Sequence, residues 1–524
     1  MQKKFVTNLI ILLCLNLLIK PFWILVIEPH VQIEVGNSDY GTYFVLFNFS
    51  FLLNILLDFG ITNFNNKNIA QNNHLLDKHF SGLFILKLAL GIVYIVATVI
   101  CAFVFNFEFR FIKLLMLLGF NQFLISMVLY LRSNLQALHL FRTDALISVL
   151  DRVIMIGIVA ALLWTNILDR RMDVMDFAYA QLAGYFLTAV IAFFAVIAKT
   201  EVMKLRWSWP FSLMILKKSF PFAVLVLLMT FYNRIDPVML ERMMPSGDPV
   251  KAEELTKLRD PDLKLTADQE ARKNILEAEL THTGPEQAGL YAKAYRLLDA
   301  TNMIAYLFSV LLIPIFSRML KYKESVEQLV KLSFTLLITV AIIVAVGCGF
   351  YSHEIMRLQY GEHLMGDEPM LFALLMNCFI AVSTTYVFGS LLTANGNLRE
   401  LNIMAFCGMV LNIGLNILFI KVFRLEAKGT AISSLSTQLL TSLVQVLIVQ
   451  RIFKFRINYR LLMTLVVYVA GVVAIALVCH TYLLGEGKTD WVPGFILMAG
   501  TSFVWALATR LISIKGMFRI LKYG

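Results

Sequence analysis

The chain has 524 residues, 59% of them hydrophobic and 15% charged, and a formal net charge of +11. So low a charged share excludes an ordinary soluble domain, in which about a quarter of residues carry charge. The positive balance does not point to nucleic acid, because the lysines and arginines lie mostly in short loops between apolar blocks, where basic residues set membrane orientation.

A bilayer core about 30 Å thick takes roughly 20 helical residues to cross. The blocks Leu332–Phe350 and Leu461–Cys479 are of that size and hold no ionised side chain, an all-round apolarity that a half-exposed soluble helix does not need. Read in chain order, the apolar blocks predict helices near 7–33, 41–66, 80–105, 112–138, 141–165 and 174–198. A second set falls near 211–244, 288–317, 326–350, 367–394, 399–421 and 428–452, and a final pair near 459–482 and 491–512. The expected fold is therefore an all-α integral membrane protein of about fourteen transmembrane helices. The opening Met1–Lys4 runs into an apolar block too long for a cleavable signal, so the first helix is expected to be retained.

Loop charges set the expected orientation. Lys3 and Lys4 share a side with Lys67 and Lys78, with Lys199, Lys204 and Arg206, with Arg318, Lys321 and Lys323, and with Arg451, Lys454 and Arg456. For an even helix count Lys515, Arg519 and Lys522 join them, whereas the opposite loop Glu34–Tyr40 has no Lys or Arg. The positive-inside rule then puts both termini in the cytoplasm. Pro245–Gln287 breaks the pattern: it is polar, with a helix-start signal at Thr266 and Gln269, and reads as a small helical insertion on the outer side.

The halves echo each other. Gly41-x-Tyr43 opens the second helix and Gly289-x-Tyr291 the eighth; Gln136-Ala137 with Phe141-Arg142 precedes the fifth, and Thr393-Ala394 with Leu398-Arg399 the eleventh. Two parallel six-helix repeats suggest a transporter with a site between lobes. The expected division is an N-terminal lobe at 1–200, a C-terminal lobe at 201–455 containing the insertion 245–287, and a terminal helix pair with a cytoplasmic tail at 456–524.

Ionisable groups at membrane depth are costly and usually face a cavity, a partner or a substrate. The first helix carries Lys20, the second Asp58, the seventh Arg234 and Asp236, and the eighth Lys293, Arg296 and Asp299. The fifth carries Asp144, Asp151 and Arg152. Internal pairing, of Arg234 with Asp236 or Asp58 and of Arg296 with Asp299, is the competing explanation. Helices one, two, seven and eight are equivalent between repeats and are expected to meet, bringing four cations to three acids. Such a set suits an anionic headgroup, and arginine suits phosphate through its fork of donors. Pro21, Pro237 and Pro314 remove helical hydrogen bonds and are candidate bends.

Other chemistry finds no support. The six cysteines, including Cys14, sit in apolar blocks without a CxxC pair, and the eight histidines are scattered. Gly485-Glu486-Gly487-Lys488-Thr489 ends like a phosphate-binding loop, but the required earlier glycine is replaced by Tyr482, so ATP is not expected. No HExxH, GxSxG or dinucleotide fingerprint is present, and an enzyme is not expected.

Three segments carry a family resemblance: Gly41-x-Tyr43 through Asp58-Phe59-Gly60; Gly289 through Arg296 to Pro314 and Arg318; and Thr393-Ala394-Asn395-Gly396 through Asn412 and Asn416 to Lys428-Gly429-Thr430. Together they resemble the polysaccharide transporters, or oligosaccharide flippases of the O-antigen type, within the multidrug/oligosaccharidyl-lipid/polysaccharide exporter superfamily. The resemblance implies alternating access, carrying an undecaprenyl-pyrophosphate-linked oligosaccharide from the cytoplasmic to the periplasmic leaflet of a bacterial inner membrane, in polysaccharide or lipopolysaccharide biosynthesis. It implies substrate binding by Lys20, Arg234, Lys293 and Arg296, with Asp58, Asp236 and Asp299 as balancing or ion-coupling groups. Membrane lipids and the polysaccharide polymerase machinery are the implied partners; no cofactor or metal is implied, and H+ or Na+ coupling is open. The competing readings are a polytopic O-antigen polymerase or ligase, disfavoured by the repeat and the acidic outer loop, and a drug/cation antiporter of the same superfamily, disfavoured by the final helix pair and the cationic balance.

Overall fold

The computed structural model describes residues 15–16, 18–62, 65, 69, 75–138, 140–165, 170–199, 209–246, 248–258, 266–361, 364, 366–455, 458–483 and 491–512. Cys14, Lys67, Lys204, Arg206, Arg259, Arg456, the stretch Gly485–Thr489 and the charged residues expected at both termini lie outside them. The chain divides into two compact units, Met1–Gly289 and Leu290–Gly524. Among the described residues every regular element is helical. A bilayer offers backbone groups no water, and a helix satisfies them within its own segment.

In the first unit a π-turn, Trp23–Ile27, leads into α1 (Glu28–Val35), followed by α2 (Asn37–Leu52) and the short α3 (Ile55–Asp58). Next come α4 (Leu75–Val104), α5 (Phe109–Ala137), α6 (Phe141–Trp164), α7 (Val174–Ile197), α8 (Trp209–Arg234) and α9 (Asp236–Met243). The polar insertion forms α10 (Pro249–Leu258) and α11 (Ala267–Leu280), and the long α12 (Gly284–Lys321) contains the unit boundary. The second unit continues with α13 (Glu327–Phe350), α14 (Ser352–Tyr360), α15 (Glu368–Asn395), α16 (Leu398–Ile417) with its π-turn Leu418–Val422, α17 (Glu426–Phe453), α18 (Tyr459–Leu483) and α19 (Val492–Ala508).

Nine described helices are long and apolar enough to cross a membrane, or ten if the bent pair α8–α9 is one span. The expected segments 7–33, 41–66, 288–317 and 491–512 are mostly helical where described but fall outside that measure, so the number fourteen rests on the sequence. Two expected continuous helices are broken. The second ends at Leu52, resumes as α3, and stops where Phe59 and Gly60 take φ of 43° and 79°. The seventh bends by 48° between Arg234 and Asp236. Pro237 lies in the first turn of α9, where its missing N–H leaves no helical bond unmade. The first helix is also irregular: its π-turn lies between Pro21 and Pro29, two residues without a donor for the α-helical ladder.

Burial separates central from lipid-facing helices. In the first unit α5 has 67% of its apolar window buried, whereas in the second α18 has only 17%, with Leu462, Met463 and Val466 exposed for lipid contact. The terminal pair α18–α19 packs on α13 through Ile338, Ile342, Tyr468, Val472 and Ala506. Small residues allow this close packing: a Cβ at Gly471 would meet the Trp505 indole nitrogen at 2.0 Å.

The repeated Gly-x-Tyr motif has a structural counterpart. The start of α2 crosses the start of α12 so closely that a Cβ on Gly41 would lie 2.0 Å from the Pro285 carbonyl oxygen and 2.7 Å from the Gly289 nitrogen. A Cβ on Gly289 would lie 2.2 Å from the Asn37 carbonyl oxygen. Backbone therefore meets backbone at equivalent glycines, and Asn37 Nδ2 donates to Glu286 Oε1 across the crossing at 3.1 Å.

The insertion is helical as expected. Thr266 N–H donates to Gln269 Oε1 at 2.9 Å and Gln269 N–H to Thr266 Oγ1 at 3.4 Å, a reciprocal box at the start of α11. Leu255, Leu258, Leu276 and Leu280 form a small core between α10 and α11. The Arg272 guanidinium grips Glu254 through two 2.9 Å bonds, and Lys251 Nζ reaches Glu279 at 2.6 Å.

Candidate functional site

Lys20, Asp58, Arg234 and Asp236 belong to the first unit, and Lys293, Arg296 and Asp299 to the second. Lys20 is half-buried ahead of the π-turn. Among the described residues it has no ion pair or hydrogen bond, and the charge acting on it most strongly is the like charge of Arg152, ahead of Asp151 and Arg132. Arg132 is itself engaged by Asp144, at 2.7 Å.

Arg152 rises from the middle of α6 between two rings, 5.5 Å from the Trp23 centroid and 5.8 Å from that of Tyr185. Asp151 lies 3.7 Å from its guanidinium. Behind them Trp23 stacks on Phe177 at 5.8 Å, Tyr40 donates to the buried carboxylate of Glu28 at 2.7 Å, and Gln181 Nε2 donates to the Tyr43 hydroxyl at 2.7 Å. These contacts lock the aromatic surroundings of Arg152. Lys20 was expected at such a site from sequence; Arg152 was noted at membrane depth without a role, because nothing in sequence spacing brings α6 to the first helix.

Asp58 pairs with Lys87 of α4, a lysine with 1% side-chain exposure. Lys87 Nζ also donates to Ser126 Oγ at 2.7 Å and to the Leu57 carbonyl at 3.1 Å, and Thr62 donates to Asp58. This network ties the broken second helix to α4 and α5. Its signal was present in the sequence, since Lys87 is a cation inside an apolar block. Arg234 lies at the bend, 5.4 Å over the Phe51 ring. Asp236 is buried in the first turn of α9, where the helix N-terminus favours an acid.

In the second unit Lys293 is buried against Glu368, with Nζ 2.8 Å from the carboxylate and 4.9 Å over the Tyr360 ring. Sequence reading did not single out Glu368, which lies at the start of α15, at the edge of its apolar block. Arg296 reaches Asp299 one turn along α12 at 3.7 Å, the pairing weighed from sequence. Lys428 and Asp367, 2.8 Å apart, add a more exposed pair nearby in sequence to Glu368. The charges at membrane depth thus differ in kind. Lys293–Glu368 is an enclosed pair, and Lys87 is enclosed while its partner Asp58 keeps 27% side-chain exposure; Arg152 stands between two rings with Asp151 beside it, and Lys20 is half-buried ahead of the π-turn. Asp151 offsets part of the Arg152 charge, and the guanidinium donors it leaves available can take an anion.

A family model described as "Polysaccharide biosynthesis protein" matches residues 5–320. No curated protein matches the chain. Among solved structures, the inward closed conformation of the lipid II flippase MurJ superposes with a TM-score of 0.65 at 14% identity, covering 97% of this chain and 98% of that one. An inward-facing multidrug resistance MATE family transporter of the MOP superfamily gives 0.58 at 14% identity, covering 84% and 96%. The Vibrio cholerae MATE transporter VcmN gives 0.53 at 14% identity, covering 86% and 97%. At such identities the likeness is one of fold.

Proposed function

The chain belongs to the polysaccharide biosynthesis protein family, and from that premise we propose that it is a flippase, not an enzyme, for an undecaprenyl-pyrophosphate-linked oligosaccharide. It moves its substrate from the cytoplasmic to the periplasmic leaflet of a bacterial inner membrane by alternating access. The observation that carries the reading is Arg152, a cation held between the rings of Trp23 and Tyr185 in the middle of an apolar span. The pyrophosphate takes up the guanidinium donors of Arg152 that Asp151, 3.7 Å away, leaves available. Arg152 offers a planar fork of donors already oriented by Trp23 and Tyr185, and Lys20 offers a mobile point charge. The shared fold with MATE transporters keeps a drug antiporter as the second reading, but the Arg152 guanidinium suits an anionic substrate better than a cationic drug.

The reading is tested by the affinity of the purified protein for undecaprenyl pyrophosphate. A charge-assisted hydrogen bond is worth about 1.5–3 kcal/mol, and about 1.4 kcal/mol is tenfold in affinity. Lys20→Gln is therefore expected to weaken binding by roughly 10- to 150-fold. Unchanged affinity in Lys20→Gln and in Arg152→Gln refutes the assigned site.

A further inference from the structure

A lipid-facing groove runs between α16 and α17, with a volume of about 280 Å³ and a lining that includes Ile403, Cys407, Leu411, Leu440 and Val444. Both helices are among the spans long and apolar enough to cross a membrane. From Glu400 to Leu411 the groove extends roughly 16 Å at 1.5 Å per residue, about half of a hydrocarbon core some 30 Å thick. It is thus about one leaflet long. Its lining carries one charged side chain, Glu400, at the end where α16 begins and α17 finishes. Glu400 is half-buried and has no ion pair or hydrogen bond among the described residues. Exposed Arg399, Arg451 and Lys454 stand at that same end of the two helices, outside the lining.

We infer that this groove is a binding site for an aminophospholipid of the leaflet on the basic side, one acyl chain lying against Ile403–Leu411 and the headgroup ammonium pairing with Glu400. The charge pattern selects the headgroup. A carboxylate in the groove mouth attracts an ammonium, and the basic residues around it accept the phosphate of the same zwitterionic headgroup. An anionic headgroup without an amine meets the same basic residues through its phosphate but has no ammonium for Glu400, whose carboxylate then repels it. The same repulsion separates this lipid from the proposed transport substrate, whose pyrophosphate carries no amine. The inference needs only that α16 and α17 cross the bilayer, and so stands or falls independently of transport.

The test is native mass spectrometry of the full-length protein with equimolar phosphatidylethanolamine and phosphatidylglycerol of identical chains. The wild type is expected to retain phosphatidylethanolamine at least fivefold over phosphatidylglycerol. The near-isosteric Glu400→Gln brings that ratio close to one, Glu400→Asp keeps it, and Cys407→Trp, which fills the groove, lowers retention of both lipids. Equal retention by the wild type, an unchanged ratio in Glu400→Gln, or preferential capture of added undecaprenyl phosphate overturns the inference.

Discussion

The glycine crossing invites a sharp perturbation. In Gly41→Ala the new methyl group falls 2.0 Å from the Pro285 carbonyl oxygen, whereas a carbon–oxygen contact is comfortable at about 3.3 Å. The two helix starts must separate by roughly 1.3 Å, and the obstacle is backbone that has no rotamer to adopt. Overpacking of this kind costs about 1–3 kcal/mol, and the Asn37–Glu286 hydrogen bond across the crossing stretches with it. Gly289→Ala meets the Asn37 carbonyl at 2.2 Å and should behave alike. Gly157 of α6 is the control: its Cβ would meet nothing within 4 Å, and alanine there favours the helix by about 1 kcal/mol. The assay is thermal stability in detergent, followed by size-exclusion recovery after heating. Gly41→Ala and Gly289→Ala should both lower the midpoint, and Gly157→Ala should leave it unchanged or raise it. Wild-type stability in Gly41→Ala, or an equal loss in Gly157→Ala, refutes the backbone crossing.

Two other expectations concern charge. Lys87→Met leaves Asp58 without its cation and should cost about 3–5 kcal/mol, seen as lost folded protein in membranes; Asp58→Asn combined with Lys87→Met should recover most of the yield. In the insertion, the Arg272 guanidinium holds the Glu254 carboxyl below its usual range. A depressed acid stabilises the hairpin fully above its unfolded pKa, near 4.3, and that contribution is lost as pH falls through the lower folded value. Hydrogen exchange in α10 and α11 should therefore be flat from pH 7 to 5, after correction for intrinsic rates, and protection should fall only below about pH 4. Arg272→Gln should abolish that acid step.

Much of the helix layout was legible because a membrane forces long apolar segments, and length alone locates them. Breaks were harder. Pro237 marked the bend in the seventh helix, but nothing before Phe59 announced that the second would stop at Leu52 and resume. The Gly-x-Tyr repeat was visible as a pattern, whereas its meaning, a backbone crossing between Asn37 and Gly289, needed three dimensions. Charges at depth were visible individually but their partners were not. Asp58 finds Lys87 on α4, and Lys293 finds Glu368 on α15, partners set by packing between helices far apart in sequence. Arg152 gained significance only when α6 was seen to bring it to Trp23.

The central claim is transport of a lipid-linked sugar by cations at membrane depth. Its most direct test is a leaflet-resolved assay in proteoliposomes, in which a purified undecaprenyl-pyrophosphate-linked oligosaccharide starts in one leaflet and its appearance in the other is timed. The wild type should move it, and Lys20→Gln, Arg152→Gln, Arg234→Ala and Arg296→Ala should not, while remaining folded in the bilayer. A wild type that leaves the lipid in place, that joins glycans instead of moving them, or that is matched in rate by all four variants contradicts the account.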